Sequence, residues 1–250
     1  MIWVMTARAI VWFVATACLA PAASASSFTV NPTQIFLTAK ATSALLTLRN
    51  ESGESLRFQL TAFAWDQSPQ GEMKLAPTED IVFFPALLVL APKESRNVRV
   101  GIAAPFGAAE RTYRIFVEEL PPLNASDSPA VRVLTKLGVP IFLQPSKLQS
   151  LGSLTNLGVK DGAFSFELRN SGNVHFLPQI VRVRGIGRTG ETLLDKSMDG
   201  WYILAGGTRA YELKLPGSEC GALAAMTVEV QIGAVTLQDR LQISAEACAR

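Results

Sequence analysis

Histidine is all but absent from this chain: 250 residues contain one, His175. A zinc site built on imidazoles needs several of them, or cysteines, at ligand spacing, and the surrounding "SGNVHFLPQ" supplies neither. A hydrolase triad would have to use the same residue, and no G-x-S-x-G elbow exists to present a nucleophile. The plain reading of His175 is a strand-edge residue near a turn. A surplus of one charge is also missing. Twenty-three basic residues face 21 acidic ones, a formal +2, which argues against binding nucleic acid by neutralising phosphates. Cysteine is scarce, at three residues. After residue 25 there is no long apolar run.

The first 25 residues stand apart. Arg8 is their one charge, an uncharged apolar stretch covers 9–19, and Ala23-Ser24-Ala25 fits the small-x-small pattern of a signal peptidase site. The stretch is shorter than the roughly 20 residues of a membrane span. A lipoprotein would need an aliphatic residue three before Cys18, where Ala15 sits. The expectation is an exported protein with a signal peptide at 1–25 and a mature chain from Ser26. Cleavage removes Arg8, leaving 22 basic against 21 acidic residues, a net +1. It also removes Cys18, so Cys220 and Cys248 remain. They form one disulfide, which an oxidising compartment permits, or stay as two free thiols.

Short apolar runs separated by turn formers dominate the rest, and almost nothing repeats at 3.6 residues over a helical length. Strands are expected at 28–30 with 35–37, 44–48, 56–65, 81–84 with 87–90, 97–102, 112–119 and 131–143, about the seven an immunoglobulin-like sandwich needs. "QPSK" at 144–147 interrupts the pattern. A second set of strands is expected at 163–169, 174–184, 201–204, 210–215, 227–232 and 234–243. The reading is all-β, with two tandem immunoglobulin-like domains at 26–146 and 147–250. "GIGRTG" at 185–190 matches a dinucleotide fingerprint, but the segment 191–200 is too short and too soon closed by glycine to be the helix that would receive the pyrophosphate. Its glycines suit a hairpin turn better. No enzyme, cofactor or metal is indicated.

Two charges break apolar strands. In "RTYRIFVEELPP" (111–122), Tyr113, Ile115 and Val117 share one face, while Arg114, Phe116 and Glu118 share the other. In "AVRVLTKLGVPIFLQP" (130–145), Val131, Val133, Thr135 and Leu137 alternate with Arg132, Leu134 and Lys136. Pro140 places this run at a sheet edge or a bulge, and a long apolar edge suits a protein that pairs it with another chain. In neighbouring strands, Arg114 and Lys136 would converge near the cleft between the domains if the register allows. Either they meet an incoming anion such as a C-terminal carboxylate, or Arg114 pairs with Glu118 or Glu119 and both side chains reach solvent.

The first domain resembles the periplasmic pilus chaperones of the chaperone-usher pathway, the PapD-like family. The likeness is carried by "TVNPTQIFL" at 29–37, "LTLRNESGESLRFQLTAFAWDQ" at 46–67, "FFPALLVLAPKESRNVRVG" at 83–101, "RTYRIFVEELPP" and "LTKLGVPIFLQP" at 134–145. The resemblance implies two immunoglobulin-like domains in a boomerang, located in the periplasm. It further implies binding of pilus or fimbrial subunits by donor-strand complementation and their delivery to an outer-membrane usher. Val131, Val133, Thr135 and Leu137 match the donated strand, and Arg114 and Lys136 match the basic pair that anchors the subunit's C-terminal carboxylate in the archaic branch. The better-known branch places its pair where this chain has Gln34 and Pro140. Self-association through the exposed edge is a further implication. The competing reading is an exported tandem sandwich that binds a ligand through its loops.

Overall fold

The computed structural model describes residues 27–123, 132–216 and 220–244. Seventeen strands run through them: β1 (Phe28–Asn31), β2 (Ile35–Leu37), β3 (Ser43–Asn50), β4 (Leu56–Gln67), β5 (Met73–Pro77), β6 (Ile81–Phe84), β7 (Leu87–Leu90), β8 (Ser95–Ile102), β9 (Arg111–Leu120), β10 (Lys136–Leu143), β11 (Gly152–Lys160), β12 (Ala163–Asn170), β13 (Ile180–Gly187), β14 (Thr192–Met198), β15 (Thr208–Lys214), β16 (Leu223–Ile232) and β17 (Val235–Gln242). The first sandwich packs the sheet β1-β3-β8-β6 on the sheet β2-β10-β9-β4-β5, to which β7 adds through β4. The second packs β11-β12-β15 on β14-β13-β16-β17.

Alternation decides which face each strand buries. Leu46 and Leu48 of β3, Val98 and Val100 of β8, and Tyr113, Ile115 and Val117 of β9 meet in one core with Phe58, Leu90 and Ile141. A second core gathers Phe164, Phe166 and Leu168 of β12 with Val181 and Val183 of β13 and Val228 and Val230 of β16. Each such side chain contributes about 1.5–3 kcal/mol by leaving water. One corner device recurs. Buried Asn50, at the end of β3, donates its amide to the carbonyls of Glu54, Leu90 and Ala91, and its oxygen accepts from the Ser52 N–H. Buried Asn170, at the end of β12, donates to the carbonyls of Val174 and Ile203 and accepts from the Gly172 N–H.

Several elements depart from the sequence reading. The last strand of the first sandwich begins at Lys136, so residues 132–135 run alongside without strand pairing; Val131 lies outside the described residues. This strand is not wholly an edge: β2 pairs in parallel with Ile141–Leu143, covering that half and leaving the side of 136–140 away from β9 open. In the second sandwich, 174–184 is not one strand. Pro178 cannot donate to a ladder, and β13 starts only at Ile180. Residues 201–204 hold a single bridge, Phe176 to Ile203, instead of a strand. Three strands had no expectation: β5 is exposed throughout, β11 carries a register shift with Asn156 at φ 56°, and β14 is mostly polar. "GIGRTG" turns the β13–β14 hairpin, with Gly190 at φ 93°.

Candidate binding site in the cleft between the sandwiches

The outer face of the sheet containing β9 and β10 looks toward the second sandwich. Register sets what stands on it: Arg114 lies opposite Pro140, Phe116 opposite Gly138 and Glu118 opposite Lys136. Arg114 and Lys136 therefore share a face, as the alternation requires, but stand four positions apart along the ladder, about 13 Å at ~3.3 Å per residue. Their heads do not converge.

The two cations sit in different surroundings. The Lys136 side chain is half exposed, its ammonium lies 2.9 Å from a Glu118 carboxylate oxygen, and it sits 5.2 Å from the Phe116 ring centre. Arg114 is only 7% exposed. Its guanidinium stacks 4.2 Å from the Trp65 ring centre and lies 5.9 Å from that of Trp201. Its Nε is buried with no hydrogen-bond partner, and among the described residues no carboxylate lies within ion-pair distance of it. Desolvation by burial pulls its pKa below the ordinary arginine value, with Tyr202 acting in the opposite direction. Glu118 and Glu119, the carboxylates near it in sequence, are engaged elsewhere: Glu118 with Lys136, and Glu119 with Arg132 at 3.8 Å and the Thr135 N–H at 3.3 Å.

The second sandwich helps to build this pocket. Trp65 and Phe142 on the first side form a small core with Leu204 and Tyr202 on the second. Tyr202 meets Trp65 and Trp201 edge-on, each at 5.5 Å between ring centres, and its hydroxyl accepts a hydrogen bond from the Gln34 amide. Gly138 matters by its size. A Cβ there would press on the Phe116 ring at 2.9 Å and touch an Arg114 nitrogen at 3.4 Å, so the glycine lets both side chains pack against the β10 backbone.

Beside the pocket lies a contact that sequence reasoning missed. Glu110, whose carboxylate is buried, accepts a hydrogen bond from the His175 N–H at 3.0 Å and pairs with its Nδ1 at 2.6 Å. The imidazole stacks on Phe142 with ring centres 3.7 Å apart. Asn173 donates its side-chain amide to the carbonyls of Ala108 and Lys147, and its backbone carbonyl accepts from the Glu110 N–H. Glu110 and His175 are 65 residues apart in sequence, beyond any local signal.

Of the donated-strand residues, Val133 is well exposed, Thr135 is half-buried and Leu137, opposite Val117, is 37% exposed. Cys220 is buried in the second core, and Cys248 lies outside the described residues.

Residues 27–149 match the family model described as pili and flagellar-assembly chaperone, PapD N-terminal domain. A search of the curated proteins finds no match by sequence. Among solved structures, the chain is similar to one in the CsuC–CsuE chaperone–tip adhesion subunit pre-assembly complex from archaic chaperone-usher Csu pili of Acinetobacter baumannii, with a TM-score of 0.60 and 14% identity, covering 84% of this chain and 98% of that one. It is similar to a chain in the complex of Salmonella enterica SafA pilin with the SafB chaperone (0.56, 15%, 86% and 96%). The Pseudomonas aeruginosa CupB2 chaperone also matches (0.54, 16%, 86% and 100%). At these identities the likeness establishes the fold.

Proposed function

Because residues 27–149 make this chain a member of the pili and flagellar-assembly chaperone family, whose N-terminal domain they form, we propose that it is a periplasmic chaperone for pilus or fimbrial subunits. On this reading the segment from Val131 to Leu137 is lent to a subunit's incomplete sandwich, and the loaded chaperone passes its cargo to an outer-membrane usher. The leader at 1–25 takes the chain to the periplasm, and the boundary between its two domains falls near residue 146. Arg114 anchors the subunit's C-terminal carboxylate, while Lys136, on the same face but about 13 Å away along the ladder, adds positive charge along the path of the captured chain.

One observation carries the reading: a nine-tenths buried arginine with no carboxylate of its own among the described residues. A buried cation is costly until an anion with good geometry arrives, and a carboxylate can take two parallel bonds from a guanidinium. The open half of β10 supplies the complementary piece. Backbone groups at 136–140 extend a sheet edge onto which another chain can add, and a charge at a fixed distance from that edge sets the register, which a one-residue slip would ruin.

The test is co-purification from the periplasm with a candidate subunit encoded beside it. Wild type retains the subunit; Arg114→Ala and Lys136→Ala lose it while keeping the wild-type melting profile. A complex retained by both variants refutes the anchor. Failure of the wild-type protein to capture any neighbouring subunit refutes the chaperone reading.

A further inference from the structure

Two indoles flank Arg114, and they are not equivalent. Trp65 is 3% exposed and forms the floor on which the guanidinium lies, whereas Trp201, from the second sandwich, is 39% exposed. Its ring meets Tyr202 edge-on, and Tyr202 is itself held by Gln34. A tryptophan left that open beside a buried cation is a binding surface more than a packing element, since aromatic anchors at desolvated centres dominate recognition energies.

On the neighbouring strand Gly138 lets the Phe116 ring and the Arg114 head lie close against its backbone, and the side of 136–140 away from β9 is unpaired, so an extended chain added there runs toward the guanidinium. A carboxylate on the Arg114 nitrogens then ends a chain whose final side chain is within reach of the Trp201 indole. From this geometry we infer that Trp201 reads the last side chain of the captured polypeptide, favouring aromatic or large aliphatic residues over alanine. The inference rests on the carboxylate-anchor reading.

The experiment measures binding of three heptapeptides to the full mature protein. Each has six residues of alternating valine and threonine; one ends in phenylalanine with a free carboxylate, one in alanine with a free carboxylate, and one in phenylalanine amide. A fourth peptide, amidated and ending in glutamate, tests whether a side-chain carboxylate substitutes. In the wild type the phenylalanine acid binds about tenfold more tightly than the alanine acid, in keeping with the loss of one aromatic anchor, and both amides bind weakly. Trp201→Ala brings the two acids to near equality, and Trp201→Phe restores most of the difference. If acid and amide bind wild type equally, or the glutamate amide matches the free acid, the C-terminal anchor fails and the inference with it. If the acid preference holds but the phenylalanine-to-alanine ratio is the same in Trp201→Ala, the inference alone is overturned.

Discussion

Tyr113 shows how one residue ties a strand's two faces to the chemistry of the fold. It sits one position before Arg114, pointing the other way into the first core, and its hydroxyl donates to Asp80 at 2.8 Å. Burial first, and that bond second, push its pKa above the ordinary tyrosine range. A group whose folded pKa is raised stabilises fully below its unfolded value, near ~10 for tyrosine, and that stability is lost as pH rises through the folded value. Urea denaturation at pH 9 and 11 should therefore show wild type losing more stability over that interval than Tyr113→Phe. Equal losses would show that the hydroxyl is not linked to folding. Arg114 was legible from sequence because it interrupts an apolar strand on the face opposite Tyr113, Ile115 and Val117. Its neighbours Trp65, Trp201 and Tyr202 were not, since they come from strands and loops whose approach only the folded chain determines.

At the scale of elements, short apolar runs closed by turn formers were readable to the residue: β2 (IFL), β6 (IVFF) and β7 (LLVL) have the bounds the pattern suggested. Those that escaped notice lacked the pattern for a physical reason. Exposed β5 buries nothing that would impose alternation, and the irregularity between Thr155 and Gly158 breaks the period of β11. The Asn50 and Asn170 corners share the local sequences "RNESG" and "RNSG", but the carbonyls that give the asparagines their role lie up to 41 residues away, beyond any local pattern. Cys220 lies just ahead of β16, inside the second core, and we predict that it is bonded to Cys248, which lies outside the described residues. Such a bond would close a loop worth up to about 3 kcal/mol. Mass spectrometry of the native protein after alkylation without reductant should find neither cysteine modified; two alkylated thiols would overturn the pairing.

Across the whole molecule, the contact that matters is the one between sandwiches. The Glu110 carboxylate is buried, its second oxygen has no partner among the described residues, and His175 supplies two bonds to the first. His175→Ala removes the imidazole and leaves that carboxylate with the backbone N–H alone, at a cost of about 2–3 kcal/mol. Adding Glu110→Gln should recover part of the loss, because the penalty lies chiefly in the stranded charge. Thermal denaturation of the two variants checks this, and small-angle scattering should show the single variant more open. An unchanged melting temperature in His175→Ala would mean that the aromatic contacts around Phe142 hold the sandwiches together unaided.

That same pairing gives the protein a built-in gauge. With only one histidine in the chain, its ring Cε1 proton gives a single imidazole signal in D2O, downfield of most phenylalanine, tyrosine and tryptophan protons. Phe142, stacked 3.7 Å away, displaces that signal through its ring current. Parting the sandwiches by a few ångströms would move that signal back toward free imidazole, so an unlabelled sample reports whether this contact is closed each time a ligand is added.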